Sequence, residues 1–360
     1  MSVKKMKDGK RWYVSVRYKD WNGTVKQHKK EGFARQAEAK EYERKFLEQK
    51  NGSPDMTVES LYKLYRADFT PRLKATTCAT KEYVLENFTV KYLGQMKLSE
   101  LTAVSIRAWQ SRLLQEGLSP GYLRMIGGQT SALFNFGVKY YGMKENPCHL
   151  VGPMGKRSSA PTRFWTPEEF NRFISVCSDQ MGRVMFHLLF WTGMRVGELL
   201  ALTRQDFDFA VPTVSITKTY HRINGEDLIT SPKTEKSKRV IALPGFLSDM
   251  VKAYCDSIYD LNPSARLFPV QHTAVQDRME RYCKKSRVKK IRVHDLRHSH
   301  ASFLIEHGFS PLLIAERLGH ENIETTLGTY SHLYKDKQTQ LVTKIEEVQN
   351  CYDSVTNGQN

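Results

Sequence analysis

The chain opens on a period of two. Trp12, Val14, Val16 and Tyr18 alternate with Tyr13, Ser15 and Arg17, the pattern of a strand with one face buried. Asn22-Gly23 follows, a pair suited to the positive φ angles of a tight hairpin. A second, polar strand runs through Lys26, His28 and Lys30, and Ala34 to Gln49, rich in Ala, Glu and Lys, reads as a helix. The expectation is a small sheet-plus-helix unit over residues 1–50, closed by the linker Asn51-Gly52-Ser53-Pro54.

From residue 56 the spacing becomes helical. Val58, Leu61, Tyr62 and Tyr65 form one stripe, Tyr83, Phe88, Tyr92 and Leu93 a second, and Val104, Ile106, Trp109, Leu113 and Leu114 a third. Ser119 as N-cap and Pro120 at the first helical position start a fourth helix, through Leu123, Ile126, Ala132, Leu133 and Phe136 toward Tyr141. A four-helix unit over 56–150 is predicted, without a specific helix-turn-helix signature.

Val151 to Thr162 is rich in Gly, Pro and Ser and marks the boundary to a third unit over 163–348. That unit opens with Thr166-Pro167-Glu168-Glu169, a capping box with Pro at its first helical position, and with Trp165 and Phe170 spaced for a hydrophobic staple. Helices continue to about Leu202. A β region follows: Thr213 to Thr219, a hairpin near Asn224-Gly225, then Arg239 to Leu243. Helical spacing resumes at Leu247 and runs to about Val348, and residues 349–360 read as a flexible tail. Leu341, Val342, Ile345 and Val348 form one stripe of a short helix in that stretch. The fold class is multidomain, mainly α with small β elements, the last unit being α+β.

Charge sharpens this picture. There are 55 Lys and Arg against 38 Asp and Glu, a formal net charge of +17 over 360 residues. The first thirty residues alone hold ten Lys and Arg against two Asp. Such an excess points to a polyanion partner, nucleic acid rather than lipid, because no basic amphipathic anchor stands out. No apolar run approaches the roughly 18 residues of a membrane span, and Met1-Ser2-Val3-Lys4-Lys5-Met6-Lys7 lacks the apolar core of a signal peptide. A cytoplasmic protein with no membrane partner is expected. Six scattered cysteines without a C-x-x-C pair argue for reduced, buried thiols rather than disulfides or structural zinc.

Four segments of the third unit concentrate Arg, Lys, His and Tyr. In Thr192-Gly193-Met194-Arg195-Val196-Gly197-Glu198, Gly193 can end one helix left-handed and Arg195 start the next, where free N–H groups favour an anion. Ser231-Pro232-Lys233-Thr234 lies just past the hairpin. His294-Asp295-Leu296-Arg297-His298 sets His294 and Arg297 three apart, so that both point one way on a helix. Leu318-Gly319-His320 is followed ten residues later by Tyr330. Singly, each segment is more often structural than catalytic. His294 and His298 have a metal-ligating spacing but lack a third ligand, since His300 points to another face.

Together, the order TGMRVGELLAL, PKT, HDLRHSHAS, LGH and TTLGTYSHL resembles the tyrosine recombinase family, the integrases of phages and conjugative transposons. The resemblance spans essentially the whole chain. It implies an arm-type DNA-binding domain at 1–50, a helical core-binding domain at 56–150 and the catalytic domain at 163–348. It further implies that Arg195, Lys233, His294, Arg297 and His320 are catalytic and that Tyr330 is the nucleophile. Lys236 and Lys238 share the loop of Lys233, whose place before Thr234 favours it. The implied activity is integration or excision of a mobile element through a 3′-phosphotyrosyl intermediate. A homotetramer would exchange strands through a Holliday junction. The partners are double-stranded DNA with core and arm attachment sites, and an excisionase or a host DNA-bending protein.

The residue types suit that chemistry on their own terms. Two arginines can hold the nonbridging oxygens of a phosphodiester by bidentate hydrogen bonds. Such pre-placed charge can do a metal ion's work, so no cofactor is expected. A phenol with a pKa near 10 needs help to ionise; nearby cations favour phenolate, and His294 can act as base. Lys233 can protonate the leaving 5′-oxygen. The two larger units, joined by a basic segment, can close around a duplex. Two other functions compete: a type IB topoisomerase, which would relax supercoiled plasmid without a specific site, and a non-catalytic DNA-binding protein, against which the intact six-residue set argues.

Overall fold

The structure is a computed structural model that describes residues 2–6, 11–19, 25–51, 56–156, 163–232 and 237–324, with 327, 330, 342, 345 and 346. The Asn22-Gly23 turn, most of the linker after Asn51, Lys233, Lys236, Leu341, Val348 and the tail 349–360 lie outside these residues. The chain divides into two compact units, residues 1–159 and 160–360.

The first unit begins with an antiparallel sheet in the order β1 (Val3–Lys5), β2 (Trp12–Lys19), β3 (Val25–Phe33), followed by α1 (Gln36–Asn51). The two-residue period does what it predicts. Val14 and Val16 turn inward and bury with Val3 and Ala39, and Trp12, Phe33, Tyr42, Phe46 and Leu47 pack around them. β3 reads as polar but is not a bare solvent strand. Its His28 ring stacks on Phe46 at 4.0 Å, and Lys30 lies over the Tyr42 ring at 4.3 Å, so long polar side chains complete the inner face. The opposite face carries Lys4, Tyr13, Ser15, Arg17, Gln27 and Lys29. β1, three residues long, carries too little periodicity to be read from sequence.

The helical part holds α2 (Val58–Phe69), α3 (Ala75–Val84), a wide π turn over Leu85–Val90 running into the short α4 (Lys91–Leu93), then α5 (Ala103–Gln115), α6 (Pro120–Tyr140) and α7 (Pro147–Val151). The Ser119 hydroxyl accepts from the Tyr122 N–H at 3.3 Å and Pro120 occupies the first turn of α6, as the sequence predicts. A π turn leaves carbonyls without their usual partners; here the Trp109 indole N–H donates to the Phe88 carbonyl at 2.7 Å. Leu61, Leu85, Ile106, Ile126, Leu133 and Phe134 form the core.

The second unit starts with α8 (Pro167–Ser175). Its capping box is formed: Thr166 N–H donates to the Glu169 carboxylate at 3.0 Å, and Glu169 N–H to the Thr166 hydroxyl at 3.3 Å. Trp165 is buried and packs its ring on Phe173 at 4.8 Å. There follow α9 (Gln180–Thr192), α10 (Val196–Ala201), β4 (Phe207–Asp208), β5 (Thr213–Ile216), β6 (Thr219–Ile223), β7 (Glu226–Thr230) and β8 (Arg239–Ala242). Helices α11 (Gly245–Asp256), α12 (His272–Ser286), α13 (Asp295–Glu306) and α14 (Pro311–Leu318) complete it. The β region expected from Thr213 to Thr219 holds β5 and the start of β6. β5 pairs with β4 and β8, while β6 pairs with β7. The crossing falls at Lys218, whose ammonium is held by Asp206 at 2.9 Å. Asn224 and Gly225 both take positive φ, 51° and 86°, and close the β6–β7 hairpin. The five described cysteines are free and buried. Among the described residues no helix is long and apolar enough to cross a membrane.

Candidate active site

α9 ends at Gly193, whose φ of 67° is left-handed. A side chain here is excluded twice over, because a Cβ would also lie 2.6 Å from Leu318 and 2.8 Å from His300. This tight turn exposes the Gly193 carbonyl to Arg297. Arg297, on the first turn of α13 and 3% exposed, donates through Nη1 to that carbonyl at 2.9 Å and through Nη2 to the Leu318 carbonyl at 2.7 Å. One guanidinium thus ties the ends of α9 and α14. Burial and the neighbouring Arg195 push its pKa down to about 9, so it stays cationic at neutral pH.

Arg195 is the N-cap of α10, as expected, but the anion at that helix start is internal. The Arg195 N–H donates to Glu198 Oε2 at 2.9 Å and Nη1 to Oε1 at 2.8 Å. Glu198 is in turn clasped by Arg239, Nη2 to Oε2 at 2.8 Å and Nη1 to Oε1 at 3.3 Å. Burial alone would raise the Glu198 carboxyl; hydrogen bonds from Arg239 and the charges of Arg239 and Arg195 reverse this and hold it below the usual carboxylate range. Arg239 Nε donates to the Arg317 carbonyl at 2.8 Å, and a Cβ on Gly319 would lie 3.0 Å from Arg239 Nη1. Gly319, with φ 68°, is the C-cap of α14 and hands the chain to His320. Burial, then Arg297, Arg195 and Arg239, push His320 down to about 4.

Tyr330 is 2% exposed, packed among Ala301, Ile305, Ile314 and Leu318. Its hydroxyl lies 2.6 Å from His298 Nδ1. Burial raises the phenol well above its ordinary value, against the opposing charge of Arg297. Arg297 favours the phenolate, as the sequence suggests, but burial is the larger effect in this setting.

The structure gathers Arg195, Arg297, His294, His320 and Tyr330 in one region, where their charges act on one another. Lys233 lies outside the described residues, between the end of β7 and the start of β8. His294 is the exposed N-cap of α13, set edge-on to His298 with ring centroids 5.3 Å apart. The residue on the Tyr330 hydroxyl is His298, one turn further along the helix, and not His294 as expected for the base.

Sequence reasoning missed His298, Glu198 and Arg239 as site residues. Glu198 stands three residues after Arg195, the spacing of a capping box. Arg239 seemed one more cation beside Lys236 and Lys238, yet it shares a strand face with buried Ile241 while Val240 points out to solvent. His298 was weighed only as a metal ligand.

Three family models match the chain: the phage integrase family over residues 163–337, an arm DNA-binding domain over 1–50, and a phage integrase N-terminal SAM-like domain over 57–114. The ICEBs1 integrase of Bacillus subtilis (strain 168) is 28% identical over 323 residues, spanning 85% of this chain and 87% of that protein. Tyrosine recombinase XerA of Thermococcus onnurineus (strain NA1) is 30% identical over 243 residues, 63% of this chain and 76% of its own. Among solved structures, the Tn1549 transposon integrase in complex with a circular intermediate DNA superposes with a TM-score of 0.67 at 21% identity, covering 76% of this chain and 94% of that one. A lambda integrase dimer bound to a COC′ core site gives 0.59 at 16% identity, covering 91% and 94%. At these identities the superpositions show the shared fold.

Proposed function

Because the chain belongs to the phage integrase family of tyrosine recombinases, enzymes that catalyse DNA strand transfer, we propose that Tyr330 is its nucleophile and that it moves a mobile element by a 3′-phosphotyrosyl route. The observation that carries this reading is the Tyr330 hydroxyl, held by an imidazole beside Arg297, whose charge acts on it. The Tyr330 oxygen attacks phosphorus, the bond to the 5′-oxygen breaks, and the leaving oxygen takes a proton from Lys233. Arg195 and Arg297 bind the nonbridging oxygens and offset the charge that develops there. His294 and His320 complete the cage. The covalent link conserves bond energy, so strand exchange proceeds without ATP, and the arginines supply the charge a metal would bring.

Two surfaces support the assembly. The outward face of the N-terminal sheet, with Lys4, Arg17 and Lys29 around Tyr13, suits arm-site DNA, where cations set phosphate register and polar side chains meet bases. Beside His320 runs a groove of 1570 Å³ lined in part by Trp191, Phe246, Phe303, Phe309 and Leu312. Val342 and Ile345 of the C-terminal stripe are exposed, 51% and 60%. A second copy's stripe docking in this groove would build the tetramer that resolves a Holliday junction. The domains act as an arm-binding unit at 1–50, a core-binding unit at 56–150 and a catalytic unit at 163–348; an excisionase or host bending protein sets direction. The test is a nicked suicide duplex cut from DNA flanking the coding region: cleavage there traps a covalent adduct, in EDTA as well as without it.

A further inference from the structure

We propose that His298 is a catalytic residue, the base that takes the proton from Tyr330 as the nucleophile attacks. The inference rests on the reading of Tyr330 as nucleophile. Its ground is geometric. Nδ1 of His298 is 2.6 Å from the Tyr330 hydroxyl oxygen, the rings meet edge-on with centroids 5.6 Å apart, and among the described residues the ring packs against the aliphatic side chains of Ala301, Ile305, Ile314 and Leu318. A phenol sealed in such a pocket does not ionise into water. Its proton leaves through the polar atom that, among the described residues, it touches, His298 Nδ1.

The environment keeps that atom able to accept. Asp295 raises the proton affinity of the ring, while burial and the Arg292 and Arg297 charges lower it, and the net shift is downward. His294 stands edge-on to the ring, and the charge on His298 weighs against protonation of His320. The downward shift keeps His298 neutral near pH 7; the proposal places its proton on Nε2, so that the Nδ1 lone pair faces the phenol O–H. In the forward step, Nδ1 gains the proton, the phenolate lone pair forms the O–P bond, and the P–O5′ pair leaves on the 5′-oxygen. The imidazolium so formed sits against the new phosphotyrosyl oxygen. In the rejoining step it returns the proton as the tyrosine departs. His294 meets the His298 ring edge-on, so the H-x-x-R histidine can act on the base without touching the nucleophile.

The full chain with His298→Gln tests this. Gln keeps a hydrogen-bond acceptor for the phenol but no base. Single-turnover cleavage of the nicked flanking-DNA duplex should fall on the order of 10²–10³-fold, with duplex binding unchanged. Replacing Tyr330 by a fluorinated, more acidic tyrosine should restore much of the loss, because an acidic phenol needs less help. The cleavage rate of the unaltered chain should level off above the titration of His298, whereas His298→Gln should keep rising toward the phenol's own pKa. Wild-type cleavage by His298→Gln, or a loss that the acidic tyrosine leaves untouched, overturns the proposal. Tyr330→Phe runs alongside: an adduct in that variant overturns the nucleophile itself, whatever His298 does.

Discussion

Arg239 closes on Glu198 with two guanidinium nitrogens, at 2.8 and 3.3 Å, and both side chains are almost sealed from water. The same carboxylate holds the far more open Arg195, so a buried ion pair sets the position of a site arginine at the surface. The pair also reaches the turn at Gly319 through Arg239, and so underlies both Arg195 and His320.

Removing Glu198 leaves the buried Arg239 with carbonyl partners but no counter-charge, and removing Arg239 leaves the buried Glu198 with only the more open Arg195. Glu198→Ala or Arg239→Ala should each cost about 3–5 kcal/mol of stability, read by denaturant unfolding. Replacing both at once, Glu198→Leu with Arg239→Met, should recover most of that loss. DNA cleavage should stay impaired in the double variant, because Arg195 has lost its anchor. Recovery of cleavage along with stability would confine the pair to a structural role.

Arg195 and Arg297 should separate when mutated. The Arg195 side chain is more than a third exposed, and Glu198 keeps Arg239 when it is removed, so Arg195→Ala should keep stability within about 1 kcal/mol while cleavage collapses. Arg297→Ala orphans the Gly193 and Leu318 carbonyls, each costing about 1–3 kcal/mol, and should lower stability as well as rate. Equal unfolding midpoints for the two variants would contradict this division.

Acid should destabilise the second unit before carboxylates titrate. Burial pushes His187 to about 4 and His300 to about 3, below the ordinary 6.5. The unfolded chain therefore binds these protons more readily than the folded one. Stability is whole above about 6.5 and falls as pH drops from there toward 4. Urea midpoints at pH 7 and pH 5 check it; equal midpoints would count against buried neutral rings.

Removing residues 1–50 should abolish binding to arm-site duplexes and leave core-site cleavage. The inward face of the sheet is closed by α1, so the truncation exposes no core of its own. Fluorescence anisotropy on separate arm and core duplexes decides it, and arm binding by the truncated chain would defeat it.

Much of this was legible in the chain. Helix starts at Ser119 and Thr166 and the hairpin at Asn224-Gly225 are local devices, set by side chains a few residues apart, and local spacing reveals them. The turn at Gly193 was readable as a helix end, but not the reason Gly193 and Gly319 both lack a Cβ, since His300, Leu318 and Arg239 reach them across 80 to 125 positions of sequence. Arg239 and His298 were hidden for the same cause. Charge in sequence says nothing of burial, and a basic residue among lysines looks like surface until a strand turns it inward. Only the fold could choose between His294 and His298, because both lie on α13's first turns and a single helical step decides which one meets Tyr330.

The most direct test of the central claim is to map the covalent link. The full chain is incubated with a nicked suicide duplex from the flanking DNA, the adduct is digested, and the nucleotide-bearing peptide is sequenced by mass spectrometry. The account predicts a phosphotyrosyl link on Tyr330, absent in Tyr330→Phe. A link on Tyr334, or an adduct that survives Tyr330→Phe, would contradict it.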